Sequence, residues 1–89
     1  MIPISEHQIL SRQHAAAIPN SVVQKVIDKD MTPIRAWREH LGLTQTEVAH
    51  RLGVSQSAYA QQEAKEPVRK ATRERIAGAL GIVPEQLAI

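Results

Sequence analysis

Apolar residues recur every three or four positions along much of the chain, which is the spacing of one face of an α-helix. Ile34, Trp37 and Leu41 follow this spacing at i, i+3 and i+7, and Val48 and Leu52 follow it at i and i+4. We expect both groups to face a common core. No stretch shows the alternation of apolar and polar residues that is typical of a half-buried strand. The pattern predicts an all-α fold.

The first 30 residues are expected to form a helical extension in front of the main domain. Ser5, with Gln8 three residues later, predicts a helix over residues 6–17, and Asn20 is expected to cap a second helix over residues 21–29. Four side chains form an apolar stripe on this second helix: Val22, Val23, Val26 and Ile27. Because so short a helix is marginal alone, it must pack on the domain or on another subunit. Residues 1–19 are either a frayed arm or an arm that docks on a partner chain.

Residues 43–63 predict two short helices joined by a tight turn. Thr44 and Glu47, three residues apart, predict a capping box at the start of the first helix. Gly53 is expected to end that helix, because glycine adopts the left-handed conformation at little cost, and Ser55 to cap the second. A helix, a turn containing glycine and a second helix make up the helix-turn-helix unit, whose second helix enters the major groove of DNA.

This stretch resembles the Cro/C1-type (XRE-family) helix-turn-helix, as in the phage repressors. The resemblance rests on an ordered set of residues: Leu43-Thr44-Gln45, Glu47-Val48-Ala49, Leu52-Gly53-Val54-Ser55-Gln56 and Glu63. It extends from about residue 31 to residue 87 and implies a phage-repressor-like five-helix DNA-binding domain. We therefore divide the chain into an N-terminal helical extension for dimer or partner contact, residues 1–30, and a helix-turn-helix domain, residues 31–89.

Three further helices complete the expected domain. Thr32 caps the one that precedes the motif, with Pro33 at its first helical position. Another covers residues 69–80 and ends at Gly81, and Pro84 opens a last short helix. The buried side chains of these last two helices are expected to be Ala71 or Thr72, Ile76, Ala79, Leu80 and Leu87.

The second motif helix carries the polar residues that the resemblance places at the DNA bases. In the family, exposed residues at the start of this helix and one turn later face the groove; here they are Gln56, Ser57, Ala60 and Gln61. Glutamine can pair with two edge atoms of adenine, and a serine hydroxyl adds a single contact. The resemblance therefore implies that Gln56, Ser57 and Gln61 read bases. The alternative is that they are ordinary solvent-facing polar residues.

Other residues are candidates for the phosphate backbone, which needs cations and N–H groups. Gln45 starts the first motif helix, where the resemblance implies phosphate binding and the alternative is plain helix capping. A basic cluster follows the second motif helix and consists of Lys65, Arg69, Lys70 and Arg73. We interpret this cluster as phosphate contacts beside the groove, the alternative being a solvated charged face.

Four more positions are interpreted through the same resemblance. Arg38 and Glu63 match a family pair that forms a partly buried salt bridge. Tyr59 occupies a position that is aliphatic in the family, so we expect its ring in the core and its hydroxyl at the surface. Gln62 departs from the family pattern, which usually has an apolar residue there.

Composition fits a small globular protein. The chain has 89 residues, of which 43% are hydrophobic and 22% charged, and a net charge of +2. This charge is only weakly basic, so the placement of the cations matters more than their number. No apolar run approaches the roughly 20 residues that span a bilayer, and the N-terminus lacks the pattern of a secretory signal. We expect a cytoplasmic protein with no membrane contact.

The residue types that catalysis or metal binding needs are missing or badly spaced. The chain has no cysteine, which excludes disulfides and thiolate zinc sites. Four histidines form no ligand set at metal spacing: His7, His14, His40 and His50. The sequence also lacks a nucleophile elbow and a glycine loop that cradles phosphates. We expect no enzyme activity, no metal and no cofactor.

These observations predict a sequence-specific DNA-binding transcriptional regulator, most simply a repressor. One such domain makes too few base contacts for selectivity, so we expect a homodimer on a palindromic double-stranded operator. The apolar C-terminal residues or the helix carrying Val22–Ile27 would supply its interface. This chain also resembles antitoxins, which are often short proteins with an N-terminal extension before this domain. They repress their own operon and bind a toxin through the extension. The alternatives are a stand-alone phage-type repressor and a protein-interaction module that has lost DNA binding.

Overall fold

The structure, a computed structural model, describes residues 17–65 and 67–88. Its elements are α1 (Asn20–Asp28), α2 (Pro33–His40), α3 (Gln45–Leu52), α4 (Gln56–Ala64), α5 (Lys70–Leu80) and a 3₁₀ helix (Pro84–Leu87). Strands do not occur in these two ranges, so the predicted all-α fold is confirmed. None of the helices within them is long and apolar enough to cross a membrane. The helix predicted over residues 6–17 lies, apart from Ala17, outside the described residues.

The helix ends of the motif follow local side-chain chemistry. The Thr44 hydroxyl accepts a hydrogen bond from the Glu47 N–H at 3.0 Å, and the Glu47 carboxylate accepts one from the Thr44 N–H at 2.9 Å. Hydrogen bonding of the Glu47 carboxylate to Thr44, first to its backbone N–H and then to its side chain, holds the pKa of Glu47 below its usual value. Gly53 ends α3 with φ of 70°, and Ser55 accepts from the Ala58 N–H at 3.1 Å. The capping predictions for α3 and α4 are confirmed.

All the elements contribute to a single core. Its largest fully buried side chains are Val22, Ile34, Val48, Tyr59 and Ile76. Trp37 closes one side of this core, because its Nε1–H donates to the Gln86 carbonyl at 2.7 Å and so fastens the 3₁₀ helix to α2. Burial of these apolar side chains is the main term that stabilises the fold.

Helix α1 packs against α2 and belongs to the same core. Val22 is fully buried there, and the Ser21 hydroxyl lies 2.9 Å from His40 Nδ1 at the end of α2. The Gln86 side chain also donates to the Ala17 carbonyl at 2.9 Å. Of the two possibilities for this helix, the structure shows packing on the domain. The division at residue 30 stays a prediction about function, since the described residues on its two sides share one core.

Three expectations about individual residues were wrong, and a fourth is decided between its alternatives. Asn20 lies in the first turn of α1 and Pro19 precedes it, so no side chain caps that helix. Leu41 is 40% exposed because α2 ends at His40 and the apolar spacing does not continue past that end. Ile27 is 70% exposed, which leaves part of the α1 stripe uncovered. On α5, of the alternatives Ala71 and Thr72, Ala71 is exposed and Thr72 is half-buried; Ala79 packs against the core, and Ala77 is buried in addition to the predicted Ile76 and Leu80.

The hydroxyl of Tyr59 also differs from the expectation that it reaches the surface. The whole side chain is buried, and within residues 17–65 and 67–88 no group meets its Oη with hydrogen-bond geometry. Burial raises the pKa of this phenol, because a phenolate would lose its hydration. The core position that the family fills with an aliphatic residue therefore encloses a polar atom here.

We predict that Tyr59→Phe raises stability by about 1 kcal/mol, because it removes a buried hydroxyl that makes no compensating bond. Chemical denaturation followed by circular dichroism would measure this change. Tyr59→Leu serves as a control, since it also removes ring volume and should lower stability by leaving a cavity. A loss of stability in Tyr59→Phe comparable to that in Tyr59→Leu would show that the hydroxyl is satisfied.

Candidate nucleic-acid interface

Helix α4 has one side in the core and the other in solvent. Tyr59 is fully buried and Glu63 is 3% exposed, and these two residues lie four positions apart on the inner side. Gln56, Ser57 and Gln61 are all exposed. Ser57 and Gln61 lie one turn apart on the opposite side, whereas Gln56 is exposed because it is the first residue of the helix. The three predicted base-reading residues are therefore open to solvent, although their role in reading bases stays a prediction.

A buried ion pair fastens the C-terminal half of α4 to α2. Arg38 meets Glu63 with two parallel bonds, Nε to Oε2 at 2.5 Å and Nη2 to Oε1 at 3.1 Å. Arg38 also donates from Nη1 to the Leu43 carbonyl at 2.8 Å, in the loop before the motif. Thr32 adds a bond from its hydroxyl to the Glu63 main-chain carbonyl at 2.7 Å. These contacts join the start of α2, the loop and α4.

The pair is ionised within the fold. Burial disfavours the charged form of Glu63, but hydrogen bonds from Arg38 and Gln45 outweigh it and hold the pKa of this carboxyl below its usual value. The same carboxylate raises the pKa of Arg38, mainly through their hydrogen bonds. Because fork-like pairing satisfies both groups, the two charges are tolerated in a largely dry site.

A chain of amide hydrogen bonds leads from this pair to the exposed end of α4. Gln45 Nε2 donates to Glu63 Oε1 at 2.9 Å, and Gln56 Nε2 donates to Gln45 Oε1 at 2.6 Å. A carboxylate can only accept hydrogen bonds, so the Gln45 amide must turn its NH₂ group to Glu63 and its oxygen to Gln56. The orientation of Gln56 at the surface therefore depends on the buried charge of Glu63, two hydrogen bonds away.

The basic cluster divides into two pairs. Lys65 and Arg69 line one groove beyond the end of α4, together with Gln62. Lys70 and Arg73 line a second groove beside the 3₁₀ helix. Arg73 is half-buried and its Nη2 lies 3.5 Å from the Val68 carbonyl, so it is the most restricted of the four cations.

Sequence reasoning missed the contacts of Thr32 and Gln45 with Glu63. Thr32 was recognised only as a helix cap, and Gln45 only as a phosphate ligand or a helix cap. The contacts span 31 and 18 residues along the chain. No local pattern predicts bonds over such separations, whereas the Arg38 and Glu63 pair was found through the resemblance.

We predict that Glu63→Ala lowers stability by about 3 kcal/mol, because it leaves Arg38 buried without its charge partner. Since the pKa of Glu63 is lowered by folding, its contribution is complete above the pKa of an unfolded glutamate, about 4.3, and is lost as pH falls below that value. As the pH is lowered from 7 to 3, the melting temperature of Glu63→Gln should therefore fall less steeply than that of the wild type. The exposed Glu85, changed to Gln, is the matched control, and a Glu63→Gln curve with the wild-type slope would contradict this account.

The comparisons with known proteins agree with this geometry. A family model, HTH_3 (helix-turn-helix), matches residues 34–87, which run from α2 to the 3₁₀ helix. Neither a curated protein nor a solved structure gives a significant match. Members of this family are DNA-binding transcriptional regulators and are typically not enzymes. The matched region covers more than half of the chain, and the protein belongs to the Cro/C1-type helix-turn-helix family.

Proposed function

We propose that this protein is a transcriptional repressor that binds a palindromic operator as a homodimer, with α4 in the major groove. The observation that carries the proposal is the exposure of Gln56, Ser57 and Gln61 on α4, while Tyr59 and Glu63 hold the same helix in the interior. A helix presented in this way can enter the groove without disturbing the core.

Gln56 keeps the atoms that it needs for an adenine. An amide NH₂ group has two donors, so one N–H can stay on Gln45 while the other, with the amide oxygen, meets the adenine edge. Gln61 lies one turn after Ser57 on α4 and is exposed, which supports a second base contact. Ser57 lies between them in sequence and adds a hydroxyl.

Phosphate binding is assigned to the residues that flank this surface. Gln45 is the first residue of α3, where the positive end of the helix dipole favours an anion. Lys65 and Arg69 are exposed beyond the other end of α4 and are proposed to hold a second stretch of backbone. Lys70 and Arg73, in the groove beside the 3₁₀ helix, complete the proposed set.

The dimer and the partner are assigned to two different apolar surfaces. Val83 is 38% exposed and Ile82 is half-buried, both next to the 3₁₀ helix, and this C-terminal surface is the proposed dimer interface. A dimer would place two recognition helices on half-sites about 34 Å apart. Ile27, 70% exposed on α1, belongs to the extension of residues 1–30, which we propose binds a toxin if the protein is an antitoxin that represses its own operon. A small toxin gene next to this one would support that role over a stand-alone repressor.

We predict that the protein binds its own promoter with sequence preference and that binding weakens steeply with salt. Gel shifts with promoter and random DNA at two salt concentrations would measure both. Changing Gln56 and Gln61 to Ala should reduce the preference for operator over random DNA by about 1–3 kcal/mol per lost base contact, with the melting temperature preserved.

The control for this experiment is Gln24→Ala, an exposed glutamine on α1. An unchanged preference in the double variant would contradict the assignment of these two residues. If the wild type binds neither DNA, the protein is instead an interaction module built on the same fold.

A further inference from the structure

A groove of about 480 Å³ lies between α2 and α4, beside the proposed DNA-reading side. Its wall on α4 consists of Glu63, which is paired with Arg38, and of Ala60 and Ala64, two small side chains one turn apart. Gln45, a proposed phosphate ligand, lies at one side of the groove and Arg35 of α2 at another. The groove therefore has room for a ligand, and an amide and a guanidinium both border that space.

The two arginines that line this groove differ in how tightly each guanidinium is paired with a carboxylate. Arg38 makes a two-pronged bond to the buried carboxylate of Glu63, so its charge is neutralised. Arg35 pairs with Glu39 one turn along α2, at 2.9 Å, and the two side chains are 52% and 32% exposed. Exposed pairs of this kind contribute little to stability and exchange readily with other partners.

We propose that Arg35 is a further phosphate-binding residue. On binding DNA, Arg35 breaks its bond to Glu39 and binds a backbone phosphate that Gln45 also contacts. The guanidinium fork matches two phosphate oxygens, whereas the solvated Glu39 carboxylate is an easily replaced partner. This inference rests on the proposed function, because it assumes that α4 lies in the major groove. It extends the DNA-contacting surface to α2, outside the helix-turn-helix unit.

The test measures how operator affinity depends on salt for wild type and Arg35→Gln. Each neutralised phosphate contributes about 0.9 to the slope of log affinity against log salt, so Arg35→Gln should have a slope shallower by about that amount. Between 50 and 200 mM salt, the loss of affinity should then be about threefold smaller than for the wild type. Lys29→Gln is the matched control, since Lys29 is an exposed cation that does not line the groove.

Glu39→Gln supplies the second arm, because it releases Arg35 without removing a cation. Operator affinity should rise in Glu39→Gln, and this gain should disappear when Arg35→Gln is also present. Asp28→Asn, which changes an exposed carboxylate away from this groove and from the proposed phosphate ligands, controls for the general effect of net charge. The same gain in both backgrounds, or an equal gain in Asp28→Asn, would overturn the proposal.

The outcomes separate this inference from the function on which it rests. If the wild type prefers its operator but Arg35→Gln has the same salt slope as Lys29→Gln, the role of Arg35 is wrong and the proposed function stands. If the wild type shows no preference for the operator at either salt concentration, both proposals fail. Melting curves of the four single variants should match the wild type, because all four side chains are at least partly exposed.

Discussion

The ion pair between Arg38 and Glu63 is the contact on which the position of α4 depends. Glu63 is 3% exposed, and a carboxylate at that depth requires partners for its charge and its lone pairs. Arg38 supplies two donors and Gln45 a third, while Thr32 bonds to the main chain of the same residue. Since these partners come from α2, α3 and the residue before α2, the pair fixes three parts of the fold around the C-terminal end of α4.

The same contact extends to the surface. Glu63 sets the orientation of the Gln45 amide, and Gln45 in turn holds the NH₂ group of Gln56 at 2.6 Å. A glutamine held in this way has fewer rotamers to lose when it meets a base, which lowers the entropy cost of binding. If Gln56 reads a base as proposed, a buried charge therefore prepares an exposed side chain for that contact. Arg35 lies one turn before Arg38 on α2, on the solvent side of this arrangement. Its bond to Glu39 is easily exchanged.

The features predictable from the sequence were those that depend on neighbouring residues. Thr44, Gly53 and Ser55 act on the backbone within one helical turn, so the ends of α3 and α4 followed from local chemistry. The exposure of Leu41 and the enclosure of the Tyr59 hydroxyl did not, because they depend on where a helix stops and on what other helices place around a side chain. For the candidate site, the positions of Gln56, Ser57 and Gln61 followed from the resemblance. The Gln45–Glu63 bond joins residues too distant in sequence for any local pattern to indicate.

The central claim is that a rigid α4 presents Gln56 and Gln61 to DNA through contacts that begin at Glu63. Its most direct test is a two-dimensional ¹⁵N NMR titration of the protein with operator DNA, which follows side-chain amide and backbone signals together. The account predicts that the largest shifts fall on the side chains of Gln45, Gln56 and Gln61 and on the backbone at the start of α4. It would be contradicted if those signals stayed in place while the largest shifts fell on α1 or the 3₁₀ helix.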